Sequence, residues 1–380
     1  MKLKLILATM ALAGTALAQT EQWLEYHSGG EGRAYHRLEL TTNPPAGVAL
    51  PKLNAHAYFA RWETLMDPAG GRWLCLDRAR KSGPCDRLFI DSTGNGRLDD
   101  KTPVMARLDS YFAYFPATPI VFKGEDGPIT YHLVFRFYQY ENNPAQLLAS
   151  SAGWYEGMVN FDGVKKRIQL IDGNVNGTFN DIADNPYESD RVQVEGDKVG
   201  ERFLARMLEV DGKLFRIEAA RDGAFVKVQK AENLTFGPVR VPENISEFTA
   251  YGENGHFVRQ PTNGQFTLPV GKYRMVHWKI DRKDEKGVAW TLSGYNFPET
   301  ANFEVAADKA ADLKIGEPVT AKLEADSPTN SRDITFNLHF AGLQQESIEM
   351  LCGGERPRGP KLMLADANGS LHSTNTFEFG

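Results

Sequence analysis

The chain has 380 residues, and its 43 Lys and Arg against 49 Asp and Glu give a formal net charge of −6 at pH 7. This mild negative charge, without any run of basic residues, argues against a nucleic-acid partner. A chain of this length exceeds one simple core, so roughly two to four domains are expected.

The beginning of the chain has the pattern of a secretory signal peptide of bacterial type. Two early lysines precede an apolar stretch over residues 5–12, and Ala16 and Ala18 form a small-x-small cleavage pattern. We therefore predict a signal peptide over residues 1–18, cut after Ala18, and a secreted or periplasmic protein. Later segments lack about 18 uninterrupted apolar residues, so no membrane span is expected.

Strand patterns dominate the rest of the chain. Alternating or β-favouring stretches occur, in chain order, at 130–140, 213–219, 224–229, 272–280, 333–340 and 361–373. Turn signals at Arg221-Asp222-Gly223 and at Asn368-Gly369 predict two hairpins. Helix is expected only in short pieces near 144–150 and 306–313. The predicted class is mainly β, with antiparallel sandwich or small-barrel modules and little helix.

Two stretches of the chain resemble each other in register. CDRLFIDSTGNGRLDDKTP (85–103) aligns without gaps with KRIQLIDGNVNGTFNDIAD (166–184). The equivalent pairs are Asp91 and Asp172, Thr93 and Asn174, Asn95 and Asn176, Gly96 and Gly177, Leu98 and Phe179, and Asp100 and Asp181. This agreement suggests duplication of a β unit of about 80 residues, each copy carrying one polar loop.

The polar residues of both loops have the spacing of a calcium loop. Calcium prefers six to eight oxygen ligands, and alternating side-chain oxygens around a glycine turn can supply them. In the second loop the predicted ligands are Asp172, Asn174, Asn176, the carbonyl of Thr178, Asp181 and Asp184. In the first loop they are Asp91, Thr93, Asn95, the carbonyl of Arg97, and Asp99 or Asp100. The expected cofactor is structural Ca²⁺.

These loops resemble EF-hand-like and dockerin-like calcium loops of the form D-x-N-x-N-G. The resemblance covers about ten residues per copy. The usual Glu at position 12 is replaced by Thr102 and Ala183, and the segments that enter the loops are strand-like. The resemblance therefore implies calcium loops carried on β-hairpins. The alternative is a tight polar turn, of the kind expected at Asp366–Gly369.

The C-terminal half resembles two kinds of β module. NGQFTLPVGKYRMVHWKI (263–280) is similar to carboxypeptidase-regulatory-like, prealbumin-like sandwiches, and the closing segment from residue 359 is similar to small immunoglobulin-like modules. Such modules imply binding or structural roles. The segment 231–246, which carries Pro238 and Pro242, is typical of a hinge, and a new strand series begins near 313–326. We therefore divide the mature chain into four units, namely 19–120, 121–232, 233–312 and 313–380.

Three cysteines are present, and two of them are close in sequence. Cys75 and Cys85 are predicted to form a disulfide in an oxidising compartment, where such a bridge contributes ~2–3 kcal/mol; two free thiols are the alternative. Cys352 has no predicted disulfide partner.

No catalytic residue can be assigned from the sequence. The histidines form no zinc-type spacing, and no nucleophile elbow or phosphate loop occurs.

The favoured function is that of an exported calcium-binding β-module protein. We expect a binding or structural protein rather than an enzyme, and its candidate partners are polysaccharide or another surface protein. One alternative is an exported glycoside or peptide hydrolase, for which Glu63, Glu141 and Glu156 are unremarkable candidates. The other is carbohydrate binding without catalysis, on a platform of Trp62, Trp73, Trp154, Trp278 and Trp290.

Overall fold

The computed structural model describes residues 21–377 except 31, 55, 81–83, 110–111, 126, 140–143 and 327–333. The predicted signal peptide and Glu141 lie outside these residues. The described part contains 31 strands and a single short 3-10 helix, Pro186–Glu188. The prediction of a mainly β protein with several antiparallel sheets and little helix is confirmed. No helix within these ranges has the length and apolar character needed to cross a lipid bilayer.

Eighteen strands form the first part of the chain. They are β1 Glu21–Trp23, β2 Glu25–Ser28, β3 Tyr35–Leu38, β4 Tyr58–Glu63, β5 Gly71–Asp77, β6 Arg87–Ile90, β7 Val104–Met105, β8 Arg107–Leu108, β9 Phe112–Lys123, β10 Pro128–Tyr138, β11 Gln146–Ser151, β12 Gly153–Phe161, β13 Val164–Ile171, β14 Arg191–Val194, β15 Glu201–Phe203, β16 Met207–Val210, β17 Lys213–Ala219 and β18 Phe225–Lys230.

These strands form four antiparallel sheets around one core. Sheet A has the order β1-β18-β17-β16, sheet B β15-β14-β13-β12-β2, sheet C β3-β11-β10-β9-β8 and sheet D β4-β5-β6-β7. A single hydrophobic cluster takes side chains from all four sheets, from Leu24 to Val226. A smaller cluster around Phe59, Cys75 and Phe89 packs against the other face of sheet D. We call this body the N-terminal module.

The remaining strands form the C-terminal module. They are β19 Phe236–Arg240, β20 Glu247–Gly252, β21 Gly255–Arg259, β22 Gln265–Pro269, β23 Gly271–Lys283, β24 Ala289–Tyr295, β25 Asn302–Val305, β26 Ala311–Asp312, β27 Thr320–Asp326, β28 Thr335–Ala341, β29 Ser347–Cys352, β30 Lys361–Ala365 and β31 Leu371–Thr376. Sheet E (β22-β19-β26) packs on sheet F (β21-β20-β23-β24-β29-β28-β27, with β25 beside β23). Strands β30 and β31 form a separate hairpin.

The division into four units differs from the structure. The boundary between residues 120 and 121 falls inside β9, which pairs with β10 along nearly its whole length. Ile315 and Ile348, from the fourth predicted unit, belong to the core of the third. A boundary requires a place where few contacts cross, and strand pairing removes it at both positions. The described residues therefore form two large hydrophobic clusters and one small cluster, and neither of these two boundaries separates one cluster from another.

The two short helices predicted near 144–150 and 306–313 are wrong. Leu147 and Ala149 are buried while Leu148 and Ser150 turn to the other face, so this segment has the two-residue period of a strand, β11, held between β10 and β3. The second segment contains only the short strand β26. Both predicted hairpins, over Arg221–Gly223 and Asn368–Gly369, are confirmed.

The two modules meet through buried polar contacts. The hydroxyl of Tyr251 in β20 donates to the carbonyl of Leu204 at 3.1 Å and lies 2.7 Å from Ser189 Oγ. The backbone N–H of Phe203 donates to His256 Nδ1 at 3.0 Å. Burial, together with the nearby positive charge of Arg202, lowers the pKa of His256 to about 3. The neutral imidazole thus acts as a hydrogen-bond acceptor within the contact between the modules.

Candidate metal-binding loops

The two duplicated loops occupy equivalent places in sheets D and B. The first loop, residues 91–100, leaves the end of β6 and leads back to β7. The second loop, residues 172–184, leaves the end of β13 and leads back to β14. In each case the entering strand is the second arm of an antiparallel hairpin and pairs with the returning strand. The internal resemblance in sequence therefore extends to the local topology.

Asp172 organises the second loop from inside the protein. It is fully buried, and its carboxylate accepts backbone N–H groups of Val175 at 2.6 Å, Asn176 at 3.3 Å and Gly177 at 2.7 Å. The hydroxyl of Tyr131 donates to the same carboxylate at 2.7 Å. Since these donors fill its lone-pair positions, Asp172 shapes the loop backbone rather than facing its open side.

Asp91 does the same in the first loop. Its carboxylate accepts the N–H groups of Gly94 at 2.8 Å, Asn95 at 3.1 Å and Gly96 at 2.8 Å. These donors stand three, four and five residues after the acid, as they do after Asp172. The two loops are thus built on the same backbone turn.

The open side of the second loop collects polar side chains around one oxygen. Asp181 Oδ2 lies 3.3 Å from Asn174 Nδ2, 2.9 Å from Asn176 Nδ2 and 2.5 Å from Thr178 Oγ1. The amide oxygens of the two asparagines accept backbone N–H groups at positions 176 and 178. Four of the predicted ligand residues are therefore brought together at one point.

In the first loop a lysine takes part in the corresponding cluster. Asn95 Nδ2 donates to Asp100 Oδ2 at 2.7 Å, as Asn176 does to Asp181. Lys101 Nζ lies 2.8 Å from Thr93 Oγ1 and 3.0 Å from Asp100 Oδ1. These hydrogen bonds from Asn95 and Lys101 lower the pKa of Asp100. A positive charge from the chain itself thus already neutralises this loop.

Two other predicted ligands do not reach a loop centre. Asp99 pairs with the guanidinium of Arg97 at 2.6 Å on the surface. Asp184 is exposed, and its charge acts on Tyr251, where it helps to raise the pKa of the hydroxyl. Within the described ranges, no three His, Cys, Asp or Glu side chains converge as a metal-binding group. A cation in the second loop would therefore depend on amide, hydroxyl and carbonyl oxygens beside the single carboxylate of Asp181.

Asp190 was not predicted, yet it holds the second loop closed. Its carboxylate accepts the N–H of Gly173 at 3.0 Å and the N–H of Asp181 at 2.7 Å, so it links the two ends of the loop. It stands directly before β14. An acid immediately before a returning strand is a weak signal in the sequence, which explains why the residue was missed.

The second loop accumulates negative charge without a basic partner. Asp172, Asp181 and Asp190 form no ion pair with Lys, Arg or His in the described part of the chain. Burial raises the pKa of Asp172 to about 6, against the effect of its hydrogen bonds. Burial, together with the charges of Asp172 and Asp181, raises the pKa of Asp190 well above its usual range. The charges of these acids are therefore not compensated by the described side chains, and a proton or a bound cation can compensate them.

The second loop is more deeply buried than the first. Trp62 Nε1 donates to the carbonyl of Val175 at 2.6 Å, and the ring of Phe179 packs edge-on against Tyr131. Gly177 has a φ of +93°, and a Cβ there would lie 2.8 Å from Thr64 Oγ1. A side chain at this position would thus disturb both the turn and the contact with β4.

The predicted disulfide is not formed in the structure, where all three cysteines are free thiols. Cys75 points into the small cluster on one face of sheet D, whereas Cys85 belongs to the large core on the other face. Burial raises the pKa of Cys75 to about 12 and that of Cys85 to about 11. The two sulfurs are therefore separated by the sheet rather than aligned for bonding.

Several of the described residues considered for sugar binding or hydrolysis lie where they cannot serve those roles. Trp62 and Trp278 are fully buried in different modules, so they cannot belong to one exposed platform. Glu63 pairs with Arg61 at 3.4 Å. The pKa of Glu156 is lowered by the hydrogen bond from Gln169, which is the opposite of what a general acid requires.

Comparisons of the chain with protein-family models, with curated proteins and with solved structures gave no match.

Proposed function

We propose that the protein is an exported calcium-binding β-module protein in which the second loop, and not the first, holds one calcium ion in a structural or binding role. The observation that carries the proposal is the difference between two loops with the same backbone turn. Lys101 supplies a positive charge to the first loop, whereas the second loop keeps three acids without a basic partner. The pattern over residues 1–18 supports a location outside the cytoplasm, where calcium reaches about millimolar levels.

The donor set of the second loop suits calcium in type, and its four residues leave the remainder of the six to eight oxygen positions to water. Asp181 contributes a carboxylate and Thr178 a hydroxyl or carbonyl oxygen. The amides of Asn174 and Asn176 already point at Asp181, and turning each by 180° places its oxygen where its nitrogen now lies. Each rotation gives up a backbone hydrogen bond of about 1 kcal/mol, and the attraction of a divalent cation offsets this loss.

The affinity expected from this set is modest. A single carboxylate with several neutral oxygens resembles extracellular calcium modules, whose Kd values are about 10⁻⁴ to 10⁻³ M. With a Kd of ~0.1 mM and ~1 mM calcium, the folded state gains about 1.4 kcal/mol. This gain is large enough to order a loop and to raise the melting temperature by a few degrees.

Thermal unfolding in 1 mM calcium and in chelator tests the proposal. We expect calcium to raise the melting temperature of the wild-type protein, and Asp181→Asn to remove most of this rise. Asp100→Asn is the matched control, because it changes the equivalent acid of the first loop and should leave the response to calcium intact. An identical melting temperature with and without calcium would rule out the proposal.

A further inference from the structure

A cavity of about 660 Å³ lies on sheet C, away from the calcium-type loops. Sheet C buries one face in the core through residues such as Leu133 and Phe137, and the cavity lies on its other face. The lining combines aromatic, aliphatic and positively charged side chains, among them Tyr35, Met105, Arg107, Tyr114, Arg136 and Ser150. Among the residues that the structure describes, none that lines the cavity is acidic. The volume falls in the range of small-molecule sites, about 300–1,000 Å³.

The strand register places the arginines in one row across this face. Arg136 in β10 lies opposite Leu148 in β11 and opposite Tyr114 in β9. Tyr114 in turn lies opposite Arg107 in β8, and Leu148 opposite Arg37 in β3. Directly opposed residues of antiparallel strands project from the same face of a sheet. The pairing of five strands therefore creates a positively charged row with aromatic and aliphatic side chains between the charges.

The two arginines of the cavity are held by aromatic rings instead of carboxylates. The guanidinium of Arg136 lies 5.4 Å from the ring centre of Tyr35 and 5.0 Å from that of Tyr114. Arg107 lies 5.5 Å from the ring of Tyr114. Neither guanidinium forms an ion pair within the described part of the chain. Both positive charges thus remain available to an anion.

Ser150 adds a buried polar group to the cavity wall. Its side chain is 1% exposed, and its Oγ has no hydrogen-bond partner among the described residues. A Cβ at Gly32 would lie 3.0 Å from Ser150 Oγ, so the neighbouring backbone covers this hydroxyl. Ser150 therefore belongs to the wall of the cavity and is not a contact for a ligand.

We propose that this cavity binds a monocyclic carboxylate. The carboxylate pairs with Arg107 and Arg136, because a guanidinium fork matches the two oxygens of a carboxylate. The ring lies against Tyr35 and Tyr114, which offer flat apolar faces. The proposal does not depend on calcium in the second loop.

An aromatic acid and a sugar acid share this chemistry, and titration calorimetry on the full chain separates them. Benzoate and glucuronate are the probes, with benzamide and glucose as their uncharged counterparts. We expect at least one acid to bind with a Kd in the millimolar range or below and its uncharged counterpart to bind at least tenfold more weakly. Binding of glucuronate would identify the ligand as a sugar acid, and binding of benzoate as an aromatic acid.

Three variants locate the binding. Arg107 is exposed, so Arg107→Gln should fold normally and weaken binding about tenfold, which corresponds to about 1.4 kcal/mol. Arg37→Gln is the matched control, since this arginine shares the row but does not line the cavity, and it should change the Kd by less than twofold. Ser150→Ala removes a covered hydroxyl that a ligand cannot reach, so it is a second control and should also change the Kd by less than twofold. Absence of binding by both acids, or equal losses in Arg107→Gln and Arg37→Gln, would overturn the proposal.

Discussion

Lys101 Nζ lies 3.0 Å from Asp100 Oδ1 in the first loop, and Ile182 stands at the equivalent position after Asp181 in the second. Ile182 is 38% exposed and brings no charge to the neighbouring acids. The same turn is thus completed by an internal ammonium group in one copy and lacks a cation in the other. Lys101 thus compensates the acids of the first loop together with Arg72, which lies 4.0 Å from Asp91, and the acids of the second loop have no such basic neighbour among the described residues.

Exchange of this residue should exchange the calcium response. We expect Ile182→Lys to stabilise the calcium-free protein by about 0.5–1 kcal/mol, as a partly exposed ion pair does, and to abolish the rise in melting temperature on adding calcium. Differential scanning calorimetry with and without calcium measures both effects. Ile182→Gln, which adds length and polarity without charge, is the control and should retain the calcium response. A full calcium response in Ile182→Lys would contradict the interpretation of Lys101 as a substitute for the ion.

The reverse change should sensitise the first loop. Lys101→Ile removes the ammonium group from between Thr93 and Asp100, so this loop should lose stability and gain a response to millimolar calcium. The expected calcium-dependent gain is smaller than in the second loop, because the first loop is more exposed and solvent screens its charges. The double variant Lys101→Ile/Asp181→Asn should be compared with the single variant Asp181→Asn. Because the second loop is disabled in both, any difference in their calcium response comes from the first loop.

Gly177 should tolerate a side chain less well than its counterpart Gly96. Both have positive φ, at +93° and +71°, where a Cβ costs about 1–2 kcal/mol. A Cβ at Gly177 would also approach Thr64 Oγ1 to 2.8 Å, whereas nothing lies within 4 Å at Gly96. Chemical denaturation should therefore show a loss of about 2–4 kcal/mol for Gly177→Ala and about 1 kcal/mol for Gly96→Ala. Equal losses would show that backbone conformation alone decides the cost.

His256 should make the contact between the modules sensitive to acid. Its pKa is lowered from 6.5 to about 3 in the folded protein, so the unfolded chain binds more protons between these values, and stability falls as the pH drops below about 6.5. The ring is partly exposed, so we expect a loss of ~1–2 kcal/mol between pH 7 and pH 5.

The variant His256→Asn isolates this effect. The amide oxygen of Asn can accept the N–H of Phe203 in place of Nδ1 but does not titrate in this range. Denaturant unfolding at both pH values should show a smaller loss in the variant than in the wild type. The same loss in both proteins would assign the acid sensitivity to other groups.

The thiols should react in an order set by burial. Cys75 and Cys85 are buried with raised pKa values, and the thiolate is the reactive form, so both should resist alkylation in the native protein. Cys352 is half-buried and should react first. Mass spectrometry after brief alkylation identifies the modified residue, and a thiol titration in denaturant should count all three. A count of one in the non-reduced protein would show that the disulfide does form.

Several features of the fold could be predicted because they depend on local pattern. The alternation of Tyr131, Leu133, Phe135 and Phe137 predicts a strand with one buried face, and these four side chains are buried in β10. The signals at Arg221–Gly223 and Asn368–Gly369 predict turns because glycine supplies the conformation that a hairpin needs. The domain boundaries failed because they depend on which strands pair across the chain. A long strand such as β9 can extend through a position that composition alone suggests as a boundary.

The candidate site likewise combines features that depend on neighbouring residues with features that depend on the packing of distant segments. Its shared backbone turn follows from residues that are close in sequence, an acid followed at fixed distances by the N–H groups it accepts. The roles of Asp190, Tyr131 and Trp62 arise from segments that are far apart, and only the packing of sheets B, C and D brings them to the second loop.

The sequence by itself determined the strand-rich class, the repeated loops and the turns within them, since each depends on side-chain alternation or on hydrogen bonds over a few residues. Only the tertiary structure decided how many cores the chain has, that two cysteines lie on opposite faces of a sheet, and that arginines from separate strands share one cavity. The physical reason is that strand pairing and burial join residues that are distant in sequence, and no local pattern encodes which distant residues will meet.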